Sequence, residues 1–97
     1  MGLGLRFVWD SRKATINLRK HGVPFGEASS VFGDRLARVR DDPDHSDTEE
    51  RYLIIGLSER NRLLVVVFAD DEDNIRLISA RQATNPERKQ YEDSYKR

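Results

Sequence analysis

The chain has 97 residues, and its 17 Lys plus Arg balance 17 Asp plus Glu to a formal net charge of zero. That length holds one domain over residues 1–97, and with 35% charged and 37% hydrophobic residues its core is small. No cysteine is present and no apolar run approaches the roughly 20 residues that span a bilayer, which excludes disulfide frameworks, thiolate metal centres and membrane helices. The first six residues are too short and too weakly apolar for a secretion signal, so a cytoplasmic protein is expected.

Zero net charge hides an uneven distribution. Residues 1–40 carry eight basic and three acidic side chains, residues 41–50 carry six acidic and no Lys or Arg, and residues 51–97 carry nine basic and eight acidic. A basic body with an acidic insert describes the chain better than neutrality does. Like charges at this density resist compaction, so 41–50 is expected to be an exposed loop. Simple solvation and a functional role are both open for it.

In chain order, residues 5–9 (LRFVW) form a short β-prone run with Leu5, Phe7 and Trp9 on one face. Asp10 or Ser11 caps a helix that runs to about His21 and stops at Gly22. Ala14 and Leu18 make its thin apolar stripe, with Ile16 to the side; Arg12, Lys13, Arg19 and Lys20 are on the opposite surface. Pro24 suits the first turn of a second helix, with Phe25, Ala28 and Phe32 as its core stripe and Gly33-Asp34 as its end. Residues 36–40 alternate weakly, as an edge strand does. Beyond the acidic insert, residues 51–57 and 63–68 are β-branched runs joined at 58–61, an antiparallel hairpin in which Asn61 takes positive φ. A turn at 70–74 leads to a third strand over 75–80 that can extend to Ala83. Thr84 and Glu87 form a capping box around Pro86 and open a last helix, with Tyr91 and Tyr95 one turn apart. The order predicts an α+β domain: an antiparallel sheet of three to five strands, two N-terminal helices and one C-terminal helix, with one sheet face covered and the other open to a partner.

Chemistry-bearing signals are sparse. The chain lacks a nucleophile elbow, P-loop, dinucleotide fingerprint, HExxH and EF-hand loop. His21 ends a helix, where a capping role competes with an acid/base role. His45 lies among Asp41, Asp42, Asp44 and Asp47, but Asp44, His45 and Asp47 match no recognised metal-ligand spacing, and neither metal nor cofactor is expected. Arginine is the prominent residue: Arg60 and Arg62 in the hairpin, Arg76 and Arg81 at the ends of the last strand, Arg88 at the last helix. Its planar fork grips phosphate with two hydrogen bonds. Simple alternation places Arg81 on the face of Ser79 and Leu77, and Arg76 on the other. Trp9 and Tyr91 are the aromatic side chains best suited to stack on an unpaired base.

These residues, in this order, resemble the BrnT family of bacterial toxins over residues 7–91. The matching pieces are Trp9-Asp10 with Lys13 and Asn17; Lys20-His21-Gly22-Val23 with Phe25, Glu27 and Ala28; Val31-Phe32 and Asp34; Asp44-His45-Ser46 with Glu49 and Arg51; Ile55-Gly56-Leu57-Ser58 with Arg62; and Ile78-Ser79-Ala80-Arg81 with Ala83, Glu87, Arg88 and Tyr91. Asn61 stands where many relatives have Gly, and Pro24 where a polar cap is common. The resemblance implies a RelE-like fold and a ribonuclease that cleaves messenger RNA and inhibits translation. It also implies a BrnA-like ribbon–helix–helix antitoxin, with operator DNA bound only through the complex, which represses its own operon.

Cleavage by 2′-hydroxyl attack needs a base, an acid at the leaving oxygen and positive charge on the phosphate. On that basis Arg81 and Arg51 are assigned to phosphate charge, Lys13 to RNA positioning or proton transfer, and His21 and Glu87 to acid/base work. Trp9, Lys20, Arg62, Arg88 and Tyr91 are the RNA-binding candidates. A purely structural Arg81–Glu87 ion pair and a non-catalytic RNA- or protein-binding module remain as alternatives.

Overall fold

The computed structural model describes residues 4–43 and 49–95. Its elements are β1 (Arg6–Val8), α1 (Ser11–His21), α2 (Phe25–Ser30) with a 3₁₀ turn at Val31–Gly33, β2 (Arg38–Asp41), β3 (Tyr52–Leu57), β4 (Leu63–Asp71), β5 (Asn74–Gln82) and α3 (Asn85–Tyr95). The five strands form one sheet in the order β1-β5-β4-β3-β2. The α+β class expected from the sequence is what is found, with one correction to the sheet. β1 joins β5 in parallel, so the sheet is mixed rather than antiparallel throughout.

One face of the sheet carries the core. Leu64, Val66 and Phe68 of β4, Ile54 of β3 and Leu77 and Ala80 of β5 pack against Val23, Phe25, Ala28 and Val31. Burying a side chain of this size stabilises the fold by about 1.5–3 kcal/mol. An aromatic chain runs along one end: Phe7 to Phe32 at 5.1 Å, Phe32 to Phe68 at 5.0 Å and Phe68 to Tyr52 at 5.5 Å between ring centroids.

Helix α1 starts and stops where its sequence says. Asp10 accepts from the amides of Arg12 and Lys13, and Gly22 closes the helix at φ 71° with its amide on the Leu18 carbonyl. Its docking differs from the expected apolar stripe. Leu18 and Ile16 are exposed, and the buried residue is Asn17. Strand β1 covers β5 only from Asn74 to Arg76, which leaves the β5 backbone open further along. There the Asn17 carboxamide acts as a strand: Nδ2 donates to the Ala80 carbonyl at 2.9 Å and Oδ1 accepts from the Ala80 amide at 3.0 Å. Nδ2 also donates to the Val23 carbonyl at 2.9 Å. This satisfies backbone groups that burial alone would penalise.

The 3₁₀ turn crosses β3 at Gly56. A Cβ there would lie 2.9 Å from Val31 Cγ1, 3.0 Å from Ala37 Cβ and 3.1 Å from Asp34 Oδ2. Gly56→Ala is therefore expected to destabilise the protein by about 1–3 kcal/mol, the usual cost of overpacking. Gly26→Ala is the control: a Cβ at Gly26 meets nothing within 4 Å, and within α2 it should be neutral or raise stability by up to about 1 kcal/mol. Thermal melts of the two variants check the contrast.

The acidic insert is only partly a loop. Asp41 closes β2, and Asp42 is buried with its amide on the Arg51 carbonyl. His45, together with Asp44 and Asp47, lies outside the described residues.

Candidate nucleic-acid interface

Strand register sets out the second face of the sheet in rows. Arg38 pairs with Ile55, Ile55 with Val65 and Val65 with Arg81. In the next row on this face, Arg40, Leu53, Val67 and Ser79 line up. In the third, Ala69 faces Arg76, and Arg51, just before the Tyr52–Phe68 pair, falls level with Ala69. Directly paired residues project to the same side of a sheet. An apolar strip is thus bordered by Arg38 and Arg40 on one margin and by Arg76 and Arg81 on the other, with Arg51 at its end.

This arrangement corrects the alternation expected for the last strand. Val67 pairs with Ser79 but Phe68 with Leu77, so Ile78 is an extra residue in β5. The bulge reverses parity. Arg76 and Arg81 share the second face, while Leu77 joins Ala80 in the core.

Helix α3 leans over one end of the arginine-bordered face. A cleft of about 220 Å³ opens between them, lined by Arg38, Arg40, Leu53, Ile55 and Val65 from the strands and by Glu87, Gln90, Tyr91 and Ser94 from the helix. Tyr91 anchors the helix, its hydroxyl donating to Asp34 Oδ2 at 2.5 Å. The same oxygen accepts from the Leu57 amide at 2.8 Å, and Oδ1 accepts from the Leu36 amide at 2.9 Å. Burial opposes the charge on Asp34, but the hydrogen bonds from Tyr91, Leu57 and Leu36 outweigh it and hold the carboxyl below its ordinary range. Burial, and then the Asp34 contact, push the Tyr91 phenol up, so it stays a neutral donor. At 3% exposure Tyr91 is an anchor inside the fold, not a ring open to a base.

Arg81 and Glu87 meet fork to fork, Nη1 to Oε1 at 2.8 Å and Nη2 to Oε2 at 2.9 Å. Glu87 also closes the capping box, accepting from the Thr84 amide at 2.8 Å while its own amide donates to Thr84 Oγ1. Hydrogen bonds from Arg81, then from Thr84, prevail over burial and pull the Glu87 carboxyl down to about 2. A lowered folded pKa adds stability above the unfolded value, and that stability is lost as pH falls through the folded one. Glu87 is thus expected to contribute about 1–2 kcal/mol, after discounting for partial exposure, that disappears between pH 4.5 and about 2. Acid melts of wild type and Glu87→Gln check this: the variant should lose less stability across that window.

A second carboxylate, Glu49, spans the far end of the face. Its Oε2 accepts from Arg51 Nε at 3.2 Å and its Oε1 from Arg76 Nη2. Although partial burial opposes its charge, Arg51 and then Arg76 keep the Glu49 carboxyl below its ordinary range.

The remaining sequence-assigned residues divide by position. Lys13 and Lys20 are exposed on α1. At 100° per residue they flank Asn17 on one side, while Ala14 and His21 flank it on the other. Ala14 packs on the core, so the two lysines project past the β5 edge toward the arginine-bordered side, and half-buried His21 sits on the core flank. Trp9 is 40% exposed, edge-on to Phe25 at 5.9 Å. Arg88 is exposed on the first turn of α3, near Glu92. Arg62 is committed to the fold. Its Nε and Nη2 donate to Glu27 at 2.9 and 2.5 Å and Nη2 also to the Gly22 carbonyl, which ties the hairpin to α2. Hydrogen bonding from Arg62 is the main reason the buried Glu27 carboxyl lies below its ordinary range.

Sequence reasoning thus singled out Arg81, Glu87 and Arg51 from this face; it missed Arg38 and Arg40, and it placed Arg76 on the opposite side. Arg38 and Arg40 carried a usable signal: arginines two apart in an edge strand share a face. Arg76 carried none, because its side depends on the bulge.

Residues 9–87 match the family described as "Ribonuclease toxin, BrnT, of type II toxin-antitoxin system". The chain belongs to the BrnT family. It is by family a ribonuclease toxin of a type II toxin–antitoxin system, and the matched segment spans Trp9 through Glu87. The crystal structure of the Brucella abortus ribonuclease toxin BrnT shares the fold, with a TM-score of 0.62 at 23% identity over 84% of this chain and 99% of that one. No curated protein sequence matches the chain significantly. Among the described residues, no helix is long and apolar enough to cross a membrane, and no group of three metal-ligating side chains is gathered.

Proposed function

We propose that this BrnT-family chain is an endoribonuclease that cleaves messenger RNA on the arginine-bordered face and so inhibits translation. The observation that carries the reading is the Arg81–Glu87 pair at the mouth of the α3 cleft, with Arg38 across the apolar strip. A phosphodiester entering the cleft competes for the Arg81 fork, which binds phosphate as readily as carboxylate. Losing Arg81 releases the Glu87 carboxyl from its main source of acidity, and its pKa climbs back toward the ordinary range. The freed carboxylate takes the 2′-hydroxyl proton as the 2′-oxygen attacks phosphorus. The bond to the 5′-oxygen breaks, and that oxygen takes a proton from Lys13 or Lys20, leaving a 2′,3′-cyclic phosphate and a 5′-hydroxyl. Arg81 stabilises the charge that builds on the phosphate oxygens. Arg51, level with Ala69 and Arg76, stands at the far end of the face and not at the reacting phosphate. Exposed Arg88 holds the strand outside the cleft, while Trp9, packed on Phe25, lies on the core side of the sheet and takes no part on this face.

No step uses a metal ion, since guanidinium groups supply the positive charge. The protein acts in the cytoplasm, where its substrate is. Its partner is a BrnA-like ribbon–helix–helix antitoxin that covers the basic face, and the complex binds operator DNA through the antitoxin and represses the operon.

Inducible expression alone is expected to arrest growth, and the purified protein to cleave single-stranded RNA at undiminished rate in EDTA. Activity lost to EDTA would overturn metal independence. Harmless expression together with intact RNA would replace the enzyme with a binding module.

A further inference from the structure

Glu49 is a carboxylate held between two arginines from strands that are not neighbours. Arg51 precedes β3 and Arg76 lies in β5, with β4 between them. The two flank Ala69, a small side chain that is 2% exposed and so lies covered at the base of the cluster. Neighbouring strands lie about 4.8 Å apart, so the two backbones are about 10 Å apart, a span that two arginine side chains bridge around one small anion. Glu49 puts one oxygen on each arginine, the contact pattern a phosphodiester's two free oxygens make.

The cluster is part-buried but within reach of solvent. The side chains of Arg51, Arg76 and Glu49 are 28%, 32% and 31% exposed, so an incoming phosphate can reach them. Arg76 has a second, longer contact with Asp71 at 3.9 Å, on its own side of the sheet. Arg81 projects from the same face five residues further along β5, about 15 Å away at strand rise. One RNA strand crossing the face can therefore place one phosphate at Arg81 and a later one at the Arg51–Arg76 pair.

We infer that Arg51 and Arg76 form a second RNA-phosphate subsite, and that Glu49 occupies it as an internal competitor which the substrate displaces. Glu49 is then a brake on the basic face. The inference rests on the proposed use of this face for RNA and adds to it a subsite and its regulation.

The test uses the full chain and a short single-stranded RNA with 2′-O-methyl groups, which binds without being cut, followed by fluorescence anisotropy across a salt series. Glu49→Gln keeps the shape and removes the competing charge, so the RNA should bind about 3- to 10-fold tighter. Arg76→Ala should weaken binding about 10-fold, with the slope of log K against log salt falling by about 0.7, the value for one lost phosphate contact on a single strand. In the double variant Glu49→Gln/Arg76→Ala the gain from Glu49→Gln should vanish, because the subsite it frees is gone. Far-ultraviolet spectra and melts confirm that each variant is folded; if Arg76→Ala is not, Arg76→Gln takes its place. Unchanged affinity in Glu49→Gln, with Arg81→Ala still weakening binding, overturns the subsite and leaves the face intact. Unchanged affinity in Glu49→Gln, Arg76→Ala and Arg81→Ala alike overturns both.

Discussion

Arg81→Ala is expected to lower RNA cleavage by about 10²- to 10³-fold, the loss typical of removing one charge-stabilising group at a reacting centre. It should also abolish growth arrest on induction. The variant removes two hydrogen bonds to Glu87 at the entry to α3. A modest drop in melting temperature is therefore expected with it, and two comparisons separate stability from catalysis. Arg81→Lys keeps the charge but loses the fork, so it should recover part of the rate and little of the pairing geometry. Glu87→Gln keeps the helix start and removes the proton acceptor, so it should bind RNA at least as well as wild type and cleave it slowly. An Arg81→Ala variant that is folded, yet cleaves RNA and arrests growth like wild type, would remove Arg81 from the mechanism.

The largest stability effect is expected at Arg62. Glu27 is 3% exposed, and its carboxylate takes hydrogen bonds from Arg62 and from Ser58 Oγ at 2.7 Å. Arg62→Ala leaves that buried carboxylate short of its cation, which costs about 3–5 kcal/mol when one partner of a buried pair is deleted. The melting temperature should fall sharply, with the Glu27→Gln/Arg62→Met double variant recovering much of the loss because no charge is then stranded. RNA affinity per folded molecule should not change in either variant. A fall in RNA affinity without a fall in stability would return Arg62 to the interface.

Much of the fold was legible in the sequence because its signals are local. The Asp10 cap, the Gly22 stop, the hairpin at 58–61 with Asn61 at φ 61° and the Thr84–Glu87 capping box are each specified within a few residues. What was missed depends on partners far along the chain. Parallel pairing of β1 with β5 joins residues nearly 70 apart. Asn17 reads as a polar residue on a weakly apolar helix, and its burial makes sense only once the bare edge at Ala80, 63 residues away, is in place. Exposed Leu18 and Ile16 follow from the same docking, since the helix is held by a carboxamide and needs no continuous apolar stripe.

The candidate site was legible to the extent that motif position marks it. Arg81, Glu87 and Arg51, each singled out by chemistry and motif position, stand on or over one face. Their arrangement was not legible, because the bulge at Ile78 carries no Gly or Pro to announce it and still decides which arginines work together. Tyr91 and Arg62 illustrate the opposite error: an aromatic and a cation that suit RNA by type are both committed to carboxylates of the fold, Asp34 and Glu27. Glu49 belongs to the acidic insert by sequence and to the basic face by structure.

The central claim is that RNA lies across the arginine-bordered face. Titration of isotope-labelled protein with the 2′-O-methyl RNA, followed by amide and arginine side-chain resonances, tests it directly. The account predicts shifts concentrated at Arg38, Arg40, Arg76 and Arg81, with smaller ones at Lys13 and Lys20 and none at Arg62. Shifts confined to the outer surface of α1, at Arg12, Thr15, Ile16 and Arg19, would contradict it.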